Sequence, residues 1–491
     1  MAAITTNRRL REFTILRLFF RLVLSFFFQY VQARLTARTY DFFEDSKRNR
    51  ERAIKIREAS LALGGVPVKV GQFLSSRVDL LPSEYIEELA LLQDEVPGVP
   101  YQDIRHTVER ELGGQISHLF SRFDATPLAA ASLGQVHRAC LPAGEEVAVK
   151  VQRPGIGRIV EADLGTFRYI VHWLSRHTSL GKRVDLPRVL VEFEETLRLE
   201  LDYCAEGHHA ERILVMFSDV PELAVPRIFW SHSARQVLTM QYMEGIKVTD
   251  FAGLERSSIS RSRVAEIVMA CYLRQVLHAG FFHADPHPGN ILVRPGPVVV
   301  LLDFGMVGEL PPQMRDLIRT VFLGVVRREY DTIIVALQHL GFFTTTADIR
   351  AIRRALIWTI DTFYGLSFGE MQSVDPRQVI DHLQEVLFSE SFQIPANFAF
   401  LGRALGTLSG LCTALDPSFQ FITVAEPFAR DLMRREQGLA GILALVGRET
   451  RSVARAAYSL PFLTQRVLAD VQTGELDLHS QFTGIVRSVD H

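Results

Sequence analysis

The sequence predicts an α+β protein of two lobes, a small β-rich lobe followed by a helical one, with a helical extension in front and extra helices behind. Three observations carry this. Val136 and His137 precede a Pro-Ala-Gly turn at 142–144, and Glu146–Val151 then alternates apolar and polar side chains, which reads as strand, turn, strand. PVVVLLDFG (297–305) is an apolar strand that ends in Asp-Phe-Gly. From 312 to about 460 almost everything follows a helical period.

The bulk composition is globular. The 491 residues are 47% hydrophobic and 22% charged, enough for more than one core. A net charge of −2 gives no global field for nucleic acid. The four cysteines, Cys140, Cys204, Cys271 and Cys412, are far apart and form no C-x-x-C pair. That fits a reducing compartment and excludes a disulfide or zinc-finger framework.

Residues 1–60 form an amphipathic and charged helical segment. Within RRLREFTILRLFFRLVLSFFFQYVQAR (8–34), Thr14, Arg17, Arg21, Ser25, Gln29 and Gln32 recur as a polar stripe on a helix of Phe, Leu and Val. The longest charge-free run, Leu22 to Ala33, is twelve residues. A spanning helix needs about 20. Arg17 and Arg21 also interrupt the apolar core that a signal peptide requires. The segment therefore reads as a helix lying in a membrane interface; packing on the protein's own core is the alternative. No clear spanning segment is expected elsewhere, because GLAGILALV (438–446) is short and the apolar stretch 396–415 contains Arg403. The expected location is cytoplasmic with peripheral membrane attachment.

Residues 61–115 continue as a helical extension, with Pro at both ends of 66–100 and a short polar segment at 101–115. Residues 116–245 hold the β-rich lobe, which includes helical patterning at 158–216 and a strand at VLTMQYM (237–243). Residues 246–440 hold the helical lobe, entered by a helix at 259–280. Residues 441–491 are a C-terminal tail.

The chemistry starts at FFHADPHPGNILVR (281–294). His283, Asp285 and His287 alternate as metal ligands could, but Pro286 and Pro288 break a strand and no second ligand cluster follows. Asp285-x-x-x-x-Asn290 instead has the spacing of a protein-kinase catalytic loop, and Asp303-Phe304-Gly305 follows at a strand end. Phosphoryl transfer needs one carboxylate to orient the acceptor, and an amide and a second carboxylate to hold magnesium on the phosphates. Asp285, Asn290 and Asp303 supply those groups in that order.

The upstream half fits the same chemistry. Val147-Ala148-Val149-Lys150 matches the V-A-I-K strand whose lysine holds the phosphates. Where a G-x-G-x-x-G-x-V loop belongs, Gly134 and Val136 keep register, but Ala129 and Ala131 replace the first two glycines. Alanine disfavours positive φ and adds a Cβ, so the loop should be stiffer and grip nucleotide differently. The expected nucleotide contacts are Ala129, Ala130, Ala131, Ser132, Gly134, Val136, Lys150 and Met243. Glu200, Asp202 and Glu206 are candidate partners for Lys150. After Gly305 the chain has no A-P-E and little room before the next helix, so a peptide-docking platform is not expected.

KVGQ (69–72), AAASLGQVH (129–137), VAVK (147–150), ELDY (200–203), HADPHPGN (283–290) and LDFG (302–305) together resemble the UbiB/AarF family of atypical kinase-like proteins, over about residues 60–420. The resemblance implies a two-lobed protein-kinase-like fold, with an extension carrying Lys69, Gly71 and Gln72 folded over the active site. It implies that Glu200 and Asp202 meet Lys69 and that Glu206 pairs with Lys150. It implies ATP and Mg²⁺ as ligands, and a role in ubiquinone or other isoprenoid lipid biosynthesis. Some members carry C-terminal transmembrane helices, which are not expected in this sequence. The expected function is an atypical kinase-like ATPase at a membrane surface. Its expected partners are a lipid surface, met through residues 8–34, and isoprenoid- or quinone-pathway proteins or lipids. The alternatives are a small-molecule phosphotransferase like aminoglycoside and choline kinases, and a nucleotide-bound scaffold.

Overall fold

Arg8–Leu35 forms α1, Ser46–Leu63 α2, Val66–Ser75 α3, Ser83–Ala90 α4 and Tyr101–Leu112 α5. The computed structural model describes residues 8–35, 46–75, 81–92, 98–178, 184–344, 347–371 and 397–437, with a few single positions between them. The predicted tail at 441–491 and the apolar stretch 438–446 lie outside the described residues. Two units are distinguished, Met1–Val424 and Ala425–His491. Everything that follows concerns the first.

No Gly or Pro interrupts α1, so one helix runs its full length. Arg11, Ile15 and Phe19 are buried, and Ile15 and Phe19 pack with Leu63, Ile170 and Trp173. Gly64 and Gly65, with φ of 58° and 65°, turn the chain sharply from α2 into α3. The polar stripe of α1 does not face one side as a unit. Ser25 and Gln29 turn inward and accept hydrogen bonds from Arg52 on α2. A second difference is that Arg8–Gln32, at mean hydropathy 1.5, is long and apolar enough to cross a membrane by length and composition. The charge-free run is short because arginines are scattered among Phe and Leu, yet the average stays apolar. The buried Arg11, Ile15 and Phe19 nevertheless commit one face of α1 to the protein itself.

The small lobe is an antiparallel sheet of β1 (Arg122–Phe123), β2 (Ala129–Ala130), β3 (Gly134–Cys140), β4 (Glu146–Gln152) and β6 (Val237–Gln241), in the order β1-β3-β4-β6 with β2 on β3. Alternation along β4 buries Val147, Val149 and Val151 completely on one face. Ile104 and Val108 of α5 cover them. The polar segment expected at 101–115 is thus largely this helix, stopped by Gly113 at φ 71°. Its apolar signal is Tyr101, Ile104, Val108 and Leu112 among eight polar residues.

The short α6 (Ile116–Leu119) precedes β1, and three helices follow β4 on the way to β6: α7 (Ile156–His177), α8 (Leu186–Glu200) and α9 (Tyr203–Met216). Val66 and Phe73 of α3 pack with Val160 and Leu164 of α7 and Phe193 and Leu197 of α8, which seats the extension on the small lobe.

The helical lobe carries a four-stranded sheet, β5 (Leu223–Ala224), β10 (Val298–Leu301), β9 (Ile291–Arg294) and β7 (Ile246–Lys247) in that order, and a pair of β8 (Phe281–His283) with β11 (Val307–Glu309). Its helices are α10 (Phe251–Arg256), α11 (Arg261–Leu273), α12 (Pro312–Arg327), α13 (Tyr330–His339), α14 (Ile349–Phe363), α15 (Phe368–Met371) and α16 (Asn397–Leu415); α17 (Phe421–Gln437) runs on into the second unit. The helix expected at 259–280 ends in a π-helical turn, Arg274–Ala279. Strands β5, β7, β8, β9 and β11 have two to four residues each, too few to show a period in sequence. The architecture is the α+β, two-lobed one that the motifs predict.

Candidate active site

Lys150 lies on β4 opposite Val136 of β3, on the face away from the buried valines. Its Nζ donates to Glu206 Oε1 at 2.6 Å and Oε2 at 2.8 Å. Glu206 stands in the first turn of α9, whose N-terminus is capped by the Asp202 carboxylate accepting from the backbone N–H groups of Cys204 and Ala205. Asp303, just beyond β10, brings Oδ2 to 3.6 Å from Lys150 Nζ and accepts from the Gly305 N–H at 2.8 Å. Three charged groups from three elements therefore converge.

Their electrostatics follow from partial burial. Burial pushes Lys150 towards the neutral amine, but Asp303 and Glu206 outweigh it and raise its pKa, keeping the ammonium. Burial pushes the Glu206 carboxyl up against the pull of Lys150. Burial acts on Asp303 in the same direction, yet Lys150, the Gly305 N–H, His283 and Lys69 hold its carboxyl down at about 2. The Tyr203 ring lies 5.1 Å from Lys150 Nζ, and burial raises its phenol.

The loop between β8 and β9 carries Asp285 and Asn290. His283 is buried, and burial lowers its pKa, so the neutral ring accepts from the Asp285 N–H through Nδ1. The Leu302 N–H donates to the Asn290 carbonyl at 3.0 Å, which holds Asn290 beside the Asp303 segment. The Asn290 side chain makes no hydrogen bond to the described residues. His287 does not converge with His283; its Nδ1 accepts from the Gly289 N–H. Among the described residues no three His, Cys, Asp or Glu side chains form a metal-holding group. Magnesium is commonly held by one or two carboxylates plus substrate phosphates, and Asp303 with the Asn290 amide oxygen fits that donor set.

The alanine loop is a hairpin. Ala129 and Ala130 pair with Val136 and Gln135, and the Ala131 N–H donates to the Gly134 carbonyl at 2.8 Å. Arg153 Nε donates to the Ala131 carbonyl at 2.9 Å. No residue from 129 to 136 has positive φ, so alanine meets no conformational penalty here. A Cβ on Gly134 would lie 2.3 Å from Tyr203 Oη and 2.7 Å from the Val151 carbonyl oxygen, so close packing requires this glycine. Ser132 and Met243, expected among the nucleotide contacts, are buried, and the Ser132 hydroxyl has no partner among the described residues. Ala131→Gly is expected to loosen the hairpin, lower stability by about 0.5–1 kcal/mol and alter the ratio of ATP to ADP affinity. Titration of both nucleotides checks it; identical affinities in the two forms would remove the stiff-loop reading.

In the extension, Lys69 Nζ lies 2.8 Å from Glu200 Oε2. Asp202, expected beside Lys69, makes no ion pair with it, because capping α9 engages its carboxylate. Gly71 and Gln72 brace α3 against the segment at Leu92. A Cβ on Gly71 would meet Leu92 Cδ1 at 2.1 Å, and Gln72 Nε2 donates to the Leu92 carbonyl.

Two site residues escape sequence reasoning. His209 Nδ1 donates to the Phe304 carbonyl at 3.1 Å, so α9 grips the Asp-Phe-Gly segment as well as Lys150. Its spacing of three from Glu206 is the available signal. Arg403 Nη2 donates to Asp285 Oδ2 at 2.8 Å. Its sequence signal is a charge inside an apolar helix.

Comparison with known proteins bears on the family and the fold. The family described as the ABC1 atypical kinase-like domain matches residues 91–337. A Synechocystis sp. protein, sll1770, is 38% identical over 441 residues, covering 89% of this chain and 75% of its own. ACTIVITY OF BC1 COMPLEX KINASE 7, chloroplastic, of Arabidopsis thaliana is 34% identical, covering 89% of this chain and 63% of its own. Kinase 8 of the same series is 35% identical, and the chain spans 57% of it. Among solved structures, Rv3197 with erythromycin from Mycobacterium tuberculosis superposes with a TM-score of 0.54 at 24% identity, over 74% of this chain and 92% of that one. At that identity the likeness shows the fold alone.

Proposed function

Because the chain belongs to the ABC1 atypical kinase-like family, we propose that it binds ATP with magnesium and transfers or hydrolyses the γ-phosphate at a membrane surface, in support of ubiquinone or other isoprenoid lipid metabolism. The observation that carries this is the convergence of Lys150, Glu206 and Asp303, with Asp285 and Asn290 on the adjoining loop.

The Lys150 ammonium, kept charged by Glu206 and Asp303, holds the α- and β-phosphates. Asp303 and Asn290 would hold magnesium, which when bound neutralises charge on the phosphate oxygens. Asp285 orients a water or hydroxyl in line with the γ-phosphorus. The new O–P bond forms as the bond to the bridging oxygen breaks, ADP leaves, and the acceptor proton passes to Asp285 or solvent.

Two features support the choice of acceptor and location. After Gly305, only residues 306–311 precede α12, and Val307–Glu309 pair with β8. That leaves no platform for a peptide and favours water, a small molecule or a lipid. On α1, Phe13, Phe20, Leu24, Phe27 and Phe28 are exposed. Residues 1–63 hold thirteen Lys and Arg against six Asp and Glu, in a chain of net charge −2. A crevice of about 360 Å³ between α1 and α2, lined by Arg48, Arg52 and Lys55, opens beside Phe28. Aromatic side chains next to clustered cations suit an anionic lipid surface. The cysteines are free, in keeping with a cytoplasmic face.

The test is magnesium-dependent phosphate release from ATP by the purified chain, with and without anionic liposomes, beside Asp285→Asn. Release that rises on liposomes and falls by orders of magnitude, to a measurable residue, in the variant is expected. ATP binding without release under any condition would overturn the catalytic reading. Replacing Phe20, Phe27 and Phe28 with Ser is expected to weaken liposome co-sedimentation at least about tenfold, since each exposed ring contributes apolar area. Undiminished binding would move the membrane contact elsewhere.

A further inference from the structure

Asp285 is held from outside its own loop. Its Oδ2 accepts from Arg403 Nη2 at 2.8 Å, and the two side chains are 29% and 20% exposed. Its Oδ1 accepts no hydrogen bond from the described residues. Arg403 stands on α16, outside the region 91–337 that matches the family. It is the one charged residue in NFAFLGRALGTLSGLCTAL. Such a charge is costly among apolar neighbours unless it is paired.

The helix that presents Arg403 is fixed in place. Leu401, Ala404, Leu408, Leu411, Cys412 and Leu415 form a buried stripe. Arg261, at the start of α11, donates to the carbonyls of Ala414 and Leu415, and Cys412 Sγ lies 3.8 Å from the Ala265 carbonyl. The guanidinium therefore approaches Asp285 from a rigid support rather than from a loop.

We propose that Arg403 is a positioning residue for phosphoryl transfer. It anchors Oδ2, stops rotation of the carboxylate and leaves Oδ1 turned to the acceptor. The acceptor side of the site is thus completed by a helix of the helical lobe that lies outside residues 91–337. This rests on the function proposed above, in which Asp285 orients the acceptor. Placing the reacting groups correctly is worth orders of magnitude, and a small misplacement costs about 100-fold.

The experiment compares the full chain with Arg403→Met, Arg403→Lys, Asp285→Asn and the double variant R403M/D285N. Magnesium-dependent phosphate release, ATP KM and thermal midpoint are measured for each. R403M is expected to lower kcat about 100-fold while ATP KM stays within about twofold, because Arg403 orients the acceptor and not the nucleotide. Arg403→Lys recovers part of the loss by keeping the charge, and it carries the comparison if R403M does not fold. Adding R403M to D285N costs nothing further if the two residues act as one unit. Independent, additive losses would overturn the proposal, and so would faster release in R403M, which would mark Arg403 as an inhibitory latch. Amide hydrogen exchange across residues 283–290 gives a readout that needs no turnover. It is expected to quicken in R403M, or in Arg403→Lys if only that variant folds, and unchanged exchange overturns the proposal. If the wild-type chain releases no phosphate, the function proposed above fails, and the exchange comparison alone decides the role of Arg403.

Discussion

Asp303→Asn is expected to abolish magnesium-dependent nucleotide binding and to lower turnover by roughly 10³-fold. The substitution preserves size and one oxygen, so the hydrogen bond from the Gly305 N–H survives and the strand end keeps its shape. What disappears is the charge. Lys150 keeps Glu206, 2.6 Å away, so the lysine remains in place. The loss therefore isolates the contribution of the carboxylate to the metal. Calorimetric titration of ATP with and without magnesium checks it; ATP affinity unchanged in the presence of magnesium would sink the metal role. The pH dependence adds a second check. Asp303 is held below its ordinary range, at about 2, so its ionised form persists down to that pH and is lost only as pH falls through it. The ratio between wild type and variant should then stay constant from about pH 5 to 8.

The residues legible in sequence are those whose chemistry is written in short spacing. Asp285 and Asn290 are five apart, and Lys150 closes a four-residue strand pattern. Choosing Glu206 over Glu200 as the partner of Lys150 rested on family resemblance, and the structure gives the physical reason. Asp202 caps α9, which sets Glu206 one turn in and facing the cleft, while Glu200 ends α8 and meets Lys69. Arg403 was visible only as a blemish in an apolar helix, because its partner lies 118 residues away. Helix α5 was hidden by a polar composition that leaves Ile104, Val108 and Leu112 to do the packing. The docked face of α1 was hidden for the same reason as Arg403: Arg11 finds Asp163 152 residues along the chain. Local spacing reveals groups that act together in one loop, and it is silent about groups that meet only through packing.

That hidden contact supports the second large expected effect. Arg11 and Asp163 are 1% and 0% exposed. Arg11 Nε and Nη2 fork onto the two Asp163 oxygens at 3.0 and 2.5 Å, and Nη1 donates to the Leu63 carbonyl at 2.6 Å. Removing one partner leaves the other charge buried, so Arg11→Leu or Asp163→Leu should each destabilise the protein by about 3–5 kcal/mol. The double variant R11L/D163L should cost much less than the sum, with the remainder set by the unpartnered carbonyls of Leu63 and Gly64. The two single variants differ in pH response. Burial already raises the Asp163 carboxyl and Arg11 opposes that rise. In Arg11→Leu the acid is raised further, so it protonates and part of the loss is recovered as pH falls; Asp163→Leu has no such acid and stays flat. The same guanidinium also holds the Gly64 carbonyl, two residues before α3 and its Lys69. Loosening α1 should therefore loosen the Lys69–Glu200 contact at the cleft. Urea unfolding at pH 8 and pH 5, with hydrogen exchange of α1 and α3, measures both effects. Additive losses in the double variant, or α1 released while α3 stays protected, would show that the anchor does not couple the N-terminal helix to the site.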